Sequence, residues 1–389
     1  VAYQILITDD SVVNRELMKA IIKKFLPDTI FFAAENGNQA LQCVYGNDID
    51  LVILDLIMPE KDGFETLREL KEQSAYKEIP VIVSSALDKM ENVKSALELG
   101  ATDYFIKPLT DDQIHVIVPL KVKNALRYYE QTKLLKRLNQ QMKDELFVAQ
   151  ILQRNLMVDY KSLQHAEVFG SYIPCNEIGG DFYDSIQIDD TLWFMIADVT
   201  GHGVASAMAS SMLKVVFGES VRQYHTPAEI LTYLNQVFNS LTQEESIIIF
   251  SAFIGALHSN GKEMKLCFAN AGHPHPLILR TMQQKVEIIE ENGFLIGAFD
   301  NVNFKDSQVP FCPGDAILAY TDGLFDKETG EACNNWYAER DVFTRNLPLM
   351  EGDPSSYIQT IIQHFRSENA NTFNDDVAVM LIKTKIDSF

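Results

Sequence analysis

Over residues 1–120, short apolar runs alternate with longer segments whose apolar positions recur every three to four residues. The runs Gln4–Thr8, Ile30–Ala34, Leu51–Leu54, Val81–Ser84 and Tyr104–Ile106 predict strands. The periodic segments near 12–25, 37–46, 63–73, 89–99 and 110–118 predict helices. Five β/α repeats predict a doubly wound α/β domain with a five-stranded parallel sheet, whose ligand site lies at the carboxyl ends of the strands.

Residues 119–158 follow another rule. Leu135, Leu138, Met142, Leu146, Ala149, Leu152 and Leu156 recur at steps of three and four on a charged, Gln-rich background. That is the pattern of a long amphipathic helix. Its seam can pack on a neighbouring domain or pair with a second copy as a homodimer, whereas a plain spacer needs no such stripe. From about 160 onward strand patterns dominate, at 167–173, 183–188, 192–197, 247–258, 263–270, 276–280, 285–289, 316–320 and 377–383. Helical patterns stand near 204–218, 227–242 and 354–367. Strands in runs with flanking helices predict an α+β domain, an αββα sandwich of two sheets with helices outside. The predicted organisation is a domain over 1–120, a helical linker over 121–158 and a second domain over 159–389.

Composition adds compartment and partner class. The 389 residues are 47% hydrophobic and 22% charged, ordinary for a globular protein, and the net charge is −21. A charge of that sign repels a phosphate backbone, so no nucleic-acid partner is expected. Five scattered cysteines (Cys43, Cys175, Cys267, Cys312, Cys333) without paired spacing point to reduced thiols. No charged-then-apolar leader and no continuous apolar span are visible, so a cytoplasmic protein without a membrane partner is expected.

Candidate chemistry collects at the predicted strand ends. In the first domain these carry Asp9 and Asp10, Asp55, Ser85 and Lys107. Asp9 and Asp10 can hold Mg²⁺, Asp55 can accept a phosphoryl group, and Ser85 and Lys107 can bind its oxygens. With Leu54-Asp55-Leu56-Ile57-Met58-Pro59, Ser85-Ala86 and Lys107-Pro108, residues 1–120 resemble the receiver domain of two-component response regulators. The resemblance implies a flavodoxin-like fold, phosphorylation at Asp55, and Mg²⁺ held by Asp9, Asp10, Asp55 and Ile57. It also implies Ser85, Tyr104 and Lys107 as switch residues and a sensor histidine kinase as partner.

In the second half, Asp198-Val199-Thr200-Gly201-His202-Gly203 joins a buried strand to a helix. Gly179-Gly180-Asp181-Phe182-Tyr183-Asp184, Tyr320-Thr321-Asp322-Gly323 and Asn374-Asp375-Asp376 each place an Asp where an apolar run meets a turn. One such junction reads equally well as a capped helix start. Four of them can converge as a site for hard cations, which prefer carboxylate, carbonyl and water oxygens. Two cations sharing a water would suit hydrolysis at phosphorus without a covalent nucleophile, and no Ser/His/Asp or Gly-x-Ser-x-Gly context is visible.

With Asn270-Ala271-Gly272-His273-Pro274 and Pro313-Gly314-Asp315, these motifs make residues 160–385 resemble the RsbU/SpoIIE-type branch of the metal-dependent serine/threonine phosphatases (PPM family). The resemblance implies two Mn²⁺ or Mg²⁺ on Asp181, Asp198, the Val199 carbonyl, Asp322 and Asp375, with Asp184, His202 and Asp376 supporting the ligands from behind. It implies a phosphorylated anti-sigma-factor antagonist as substrate in a partner-switching pathway. Ala378 stands where the family usually has Thr, and Asp326 where Glu is frequent. His202 reads either as proton donor to the leaving oxygen or as a loop-orienting partner; His273 reads as a turn residue. The alternative is a weakly active or inactive phosphatase-fold scaffold that binds a sigma or anti-sigma factor under receiver control.

Overall fold

The computed structural model describes residues 2–85, 90–157, 159–201, 203–241, 248–259, 263–325, 353–368 and 373–385. Ala86, His202, Asp326 and Cys333 lie outside the described residues. The chain divides into two compact units, Val1–Met142 and Lys143–Phe389.

In the first unit, β1 (Gln4–Thr8), α1 (Val12–Phe25), β2 (Ile30–Ala34), α2 (Gly37–Gly46), β3 (Leu51–Leu54), α3 (Gly63–Glu72), β4 (Val81–Ser85), α4 (Met90–Glu98) and β5 (Asp103–Ile106) alternate. The strands are parallel in the order β2-β1-β3-β4-β5. Both sheet faces are covered, so strand side chains divide by parity. Leu6, Val52 and Val83 join one core, while Ile5, Ile7, Ile53 and Ile82 join the other. Three helices begin on side-chain caps: Ser11 accepts from the Asn14 amide, Asn36 from Gln39 and Asp62 from Glu65.

The helix expected over 110–118 is helical from residue 111, but it passes through a π-helical turn at Gln113–Ile117 and runs on into α5 (Val118–Leu156), a 39-residue helix. Its opening turns bury Val118, Val122, Ala125 and Leu126 in the first unit's core. A core stripe and the linker stripe thus share one helix, and no capping residue separates them.

The second unit holds β6 (Tyr160–Ser162), β7 (Ala166–Ile173), β8 (Phe182–Ile188), β9 (Thr191–Val199), α6 (Val204–Gln223), α7 (Pro227–Leu241), β10 (Phe250–Ser259), β11 (Met264–Ala271), β12 (Leu277–Arg280), β13 (Lys285–Ile288), β14 (Ser307–Phe311), β15 (Ala316–Tyr320), α8 (Pro354–Glu368) and β16 (Val377–Thr384). They form two antiparallel sheets, β14-β11-β10-β9-β8 and β13-β12-β15-β16-β7-β6. The layering follows from alternation. Ala378, Met380 and Ile382 of β16 face the core shared with the other sheet, α6 and α7. Val377, Val379 and Leu381 face a second core with Tyr357, Ile358 and Phe365 of α8. β16 is apolar on both faces because both faces are covered.

Two strands escaped the sequence reading. β6 is three residues long and β14 carries Pro310; both are sheet edges, where a weak apolar signal and a missing N–H are tolerated. α6 is long and apolar enough by length and composition to cross a membrane. Here its Ala209, Leu213 and Phe217 lie in the core of the second unit.

Candidate functional site

At the carboxyl edge of the first sheet, Asp9, Asp10 and Asp55 bring carboxylate oxygens within 4.8 Å of one another. Asp9 and Asp55 are buried and Asp10 is exposed. The Asp55 amide donates to the Thr8 carbonyl at 2.8 Å, which fixes the end of β3 beside the end of β1. Gly63 lets the start of α3 pass close to this strand end: a Cβ there would stand 2.2 Å from the Asp55 carbonyl oxygen. The Lys107 ammonium bridges Asp9 and Asp55, reaching Asp55 Oδ2 at 2.7 Å. Burial pushes the Asp55 carboxyl above its usual range, and Lys107 opposes the shift. The exposed Ile57 donates its amide to Asp55 Oδ1 at 3.3 Å.

Ser85 ends β4, buried and opposite Ile106 of β5, while Tyr104 of β5 pairs with Val83. Sequence reasoning passed over what holds these groups. Asn14 donates to Asp9 Oδ1 at 3.1 Å, and Arg15 to the Asp9 carbonyl at 2.7 Å. Lys121, on α5, bonds Asp103 Oδ1 and the Tyr104 carbonyl and stands 4.6 Å from the Tyr104 ring centroid. The aromatic is thereby tied to the first turns of the long helix.

In the second unit a pocket of about 480 Å³ is lined by Asp198, Thr200, Ser251, Gly272, Asp322 and Asp375, among others. Asp198 is the penultimate residue of β9, opposite Ser251 of β10. Asp322 opens a 3₁₀ turn after β15, and Asp375 precedes β16. Asp181, just ahead of β8, is 1% exposed and lies against Asp198. The Thr321 hydroxyl donates to Asp181 Oδ2 and accepts from the Ala378 amide at 2.8 Å, so the β15–β16 pair holds the buried carboxylate. Ala378 serves here through its backbone.

The Val199 carbonyl faces the Gly179-Gly180 segment, where a Cβ on Gly180 would stand 2.5 Å from it. Asp376 closes that segment from the other side: Oδ2 accepts from the Gly180 amide at 2.6 Å and Oδ1 from the Cys175 amide at 2.9 Å. Asp184 turns away to Lys214, 2.9 Å from its Oδ2. His273 sits in a turn closed by Asn270, and its Nδ1 lies 2.8 Å from the Ser251 hydroxyl. Burial lowers its pKa to about 3, so the ring is neutral.

The electrostatics of the pocket follow from burial and from mutual repulsion of the carboxylates. Burial, and then Asp322 and Asp375, push Asp198 up to about 8; burial and then Asp198 raise Asp181 well above the carboxylate range. Both shifts disfavour the charged carboxylates when no cation is bound. An all-oxygen set whose charged form is disfavoured by burial and by its own neighbours fits hard divalent cations, which would compete with protons for it. Cys175, Asp375 and Asp376 also bring ligand atoms within 4.8 Å of one another. Burial and Asp376 push the Cys175 thiol up to about 11, which makes it a poor ligand beside the carboxylates.

Comparison with known proteins agrees with this division. The model of the response regulator receiver domain matches residues 5–119. The model of Stage II sporulation protein E (SpoIIE) matches residues 188–385, more than half of the chain. Phosphoserine phosphatase RsbP of Bacillus subtilis is 25% identical over 62% of this chain, and the match spans 58% of that relative's length. Regulator of RpoS from Escherichia coli is 25% identical over 77% of this chain and 89% of its own. The SiaA-PP2C domain of Pseudomonas aeruginosa superposes with a TM-score of 0.51 at 21% identity, covering 63% of this chain and 98% of that one, a likeness of fold. The chain therefore belongs to the SpoIIE family, with a response-regulator receiver domain ahead of its phosphatase-type domain.

Proposed function

We propose that this protein is a metal-dependent phosphoserine/phosphothreonine protein phosphatase controlled by phosphorylation of its receiver at Asp55. One observation carries the reading: Asp198, Asp322 and Asp375 line one open pocket, with the buried Asp181 lying against Asp198. Asp181, Asp198, Asp322, Asp375 and the Val199 carbonyl would hold two Mn²⁺ or Mg²⁺ through their oxygens. Bound there, the cations supply a water of lowered pKa and neutralise charge on the phosphoryl group. In hydrolysis water oxygen bonds to phosphorus, the bond to the seryl or threonyl oxygen breaks, and that oxygen takes up a proton. Thr321 holds Asp181 against the growing charge, and Asp376 holds the Gly179-Gly180 segment that leads to it.

In the receiver, Asp9, Asp10, Asp55 and Ile57 would hold Mg²⁺, and Ser85, Tyr104 and Lys107 would answer the phosphoryl group supplied by a sensor histidine kinase. The substrate proposed is a phosphorylated anti-sigma-factor antagonist, in keeping with the phosphoserine phosphatase RsbP among the relatives. The exposed stripe Leu135, Leu138 and Met142 supports a homodimer through α5. A test is Mn²⁺-dependent phosphate release from a phosphorylated antagonist, with and without beryllofluoride on the receiver. Release that persists in chelator overturns the reading.

A second reading is a non-enzymatic scaffold under receiver control. It is favoured by the match to a relative named as a regulator, which covers more of this chain than the phosphatase relative does. Mn²⁺ binding without phosphate release from any phosphoprotein would support it.

A further inference from the structure

The final turns of α5 bury a polar side chain where the apolar stripe would place a leucine. Leu152 is 63% exposed, whereas the neighbouring Gln153 is 5% exposed. A buried primary amide must find partners, since leaving one unsatisfied costs more than its bonds return. Gln153 finds them on the other side of the unit. Its Nε2 donates to the Gly179 carbonyl at 2.6 Å and to the Ser210 hydroxyl at 3.1 Å, and its Oε1 accepts from the Gly179 amide at 3.3 Å. The amide thus grips both backbone groups of one residue, as a neighbouring strand would.

What it grips leads directly to the metal-holding carboxylate. Gly179 and Gly180 precede Asp181, and neither tolerates a side chain. A Cβ on Gly179 would lie 1.9 Å from Asp376 Oδ2, and one on Gly180 2.5 Å from the Val199 carbonyl. The segment is boxed by Asp376 on one side and Gln153 on the other, so its course, and the direction in which Asp181 enters the site, depends on both. Apolar packing of α5 in this region is loose by comparison. Ala149, Leu152 and Leu156 border an open groove of about 560 Å³ against α6, where Met208 and Val215 are 63% and 66% exposed. The polar grip, more than side-chain interlock, registers the end of α5.

We infer that Gln153 is a positioning residue through which helix α5 sets the Gly179–Asp181 segment, so that displacement of this helix end lowers metal affinity at the phosphatase site. The inference rests on the phosphatase reading and supplies its means of regulation. Partners that orient metal ligands from behind typically change affinity by about 10–100-fold when lost.

The test uses the full chain. Gln153→Met keeps length and apolar bulk but removes every hydrogen bond. Mn²⁺ binding by calorimetry should weaken by at least about tenfold. The Mn²⁺ concentration for half-maximal phosphate release should rise in parallel, with the plateau at saturating Mn²⁺ largely regained. In chelator, amide exchange across 175–184 should be faster than in the wild type. A purely structural loss would lower the plateau and leave the Mn²⁺ midpoint in place. Should Gln153→Met fail to fold, Gln153→Glu serves, because it keeps the acceptor for the Gly179 amide and loses the donor to its carbonyl; the same shift is expected. A wild-type Mn²⁺ midpoint in the folded variant overturns the inference alone. Failure of the wild type itself to bind Mn²⁺ overturns the phosphatase reading, and the inference with it.

Discussion

The Thr321 hydroxyl donates a 2.6 Å hydrogen bond to Asp181, the most deeply buried carboxyl of the pocket, while accepting from the Ala378 amide. One side chain therefore ties the end of β15, the start of β16 and the entry to β8. Thr321→Val strands the Ala378 amide and removes the donor to Asp181. We expect a loss of about 1–3 kcal/mol of stability in urea denaturation and a weaker Mn²⁺ site, with Thr321→Ser restoring both. Unchanged Mn²⁺ affinity in Thr321→Val would remove this residue from the site's support.

Asp198 governs the pH behaviour of the metal-free protein. Its folded pKa of about 8 exceeds the ordinary carboxylate value, so between about pH 4 and 8 the folded state holds a proton that the unfolded state has released. Stability of the second unit in chelator should therefore fall as pH rises through that window and level off above it. Mn²⁺ must displace the same proton, so its apparent affinity should rise up to about tenfold per pH unit toward pH 8. Urea midpoints in chelator and calorimetry in two buffers of different ionisation enthalpy read the two effects. A flat profile in both would contradict the assignment.

Asp198→Asn should reduce phosphate release by at least about two orders of magnitude, because it removes a proposed metal ligand at the centre of the site. It should also weaken the pH dependence of the metal-free protein, since one of the two raised carboxyls is gone. Near wild-type turnover would refute the two-metal reading.

In the receiver, Lys107 already spans Asp9 and Asp55. Lys107→Ala should leave Mg²⁺-dependent uptake of beryllofluoride intact and abolish its effect on phosphate release. Asp55→Asn should abolish uptake itself. Isotopic label from acetyl phosphate on Ser84 or Ser85 would overturn the assignment of Asp55.

Along α5, Leu135, Leu138 and Met142 are 63%, 51% and 62% exposed in a single chain. If the stripe joins two copies, Leu138→Glu should halve the mass seen in sedimentation equilibrium and make phosphate release indifferent to beryllofluoride. A wild-type mass and response would reduce this part of the helix to a spacer.

What the sequence determined by itself is local and periodic. Alternation of apolar runs and helical stripes specifies a parallel sheet followed by a layered α+β domain, because residue parity and the 3.6-residue turn decide which faces must be buried. Aspartates at strand ends announce themselves through the glycines and apolar runs beside them, so Asp9, Asp55, Asp181, Asp198, Asp322 and Asp375 could be singled out one at a time. The packing of α5 could not be read so closely. Its leucines suggested a seam through Leu152, yet the face that packs runs through Gln153 and Met157, because the Gly179 backbone offers that amide a partner no local pattern reveals.

Only tertiary structure brought the distant supports into place. Asp376 reaches back 196 residues to the Gly180 amide, and Thr321 reaches 140 to Asp181. Neither relationship leaves a trace in spacing, since antiparallel strands far apart in the chain create it. The raised pKa of Asp198 has the same origin. Its pKa depends on burial and on carboxyls delivered by other strands, and charge and burial of that kind exist only once the sheets have packed.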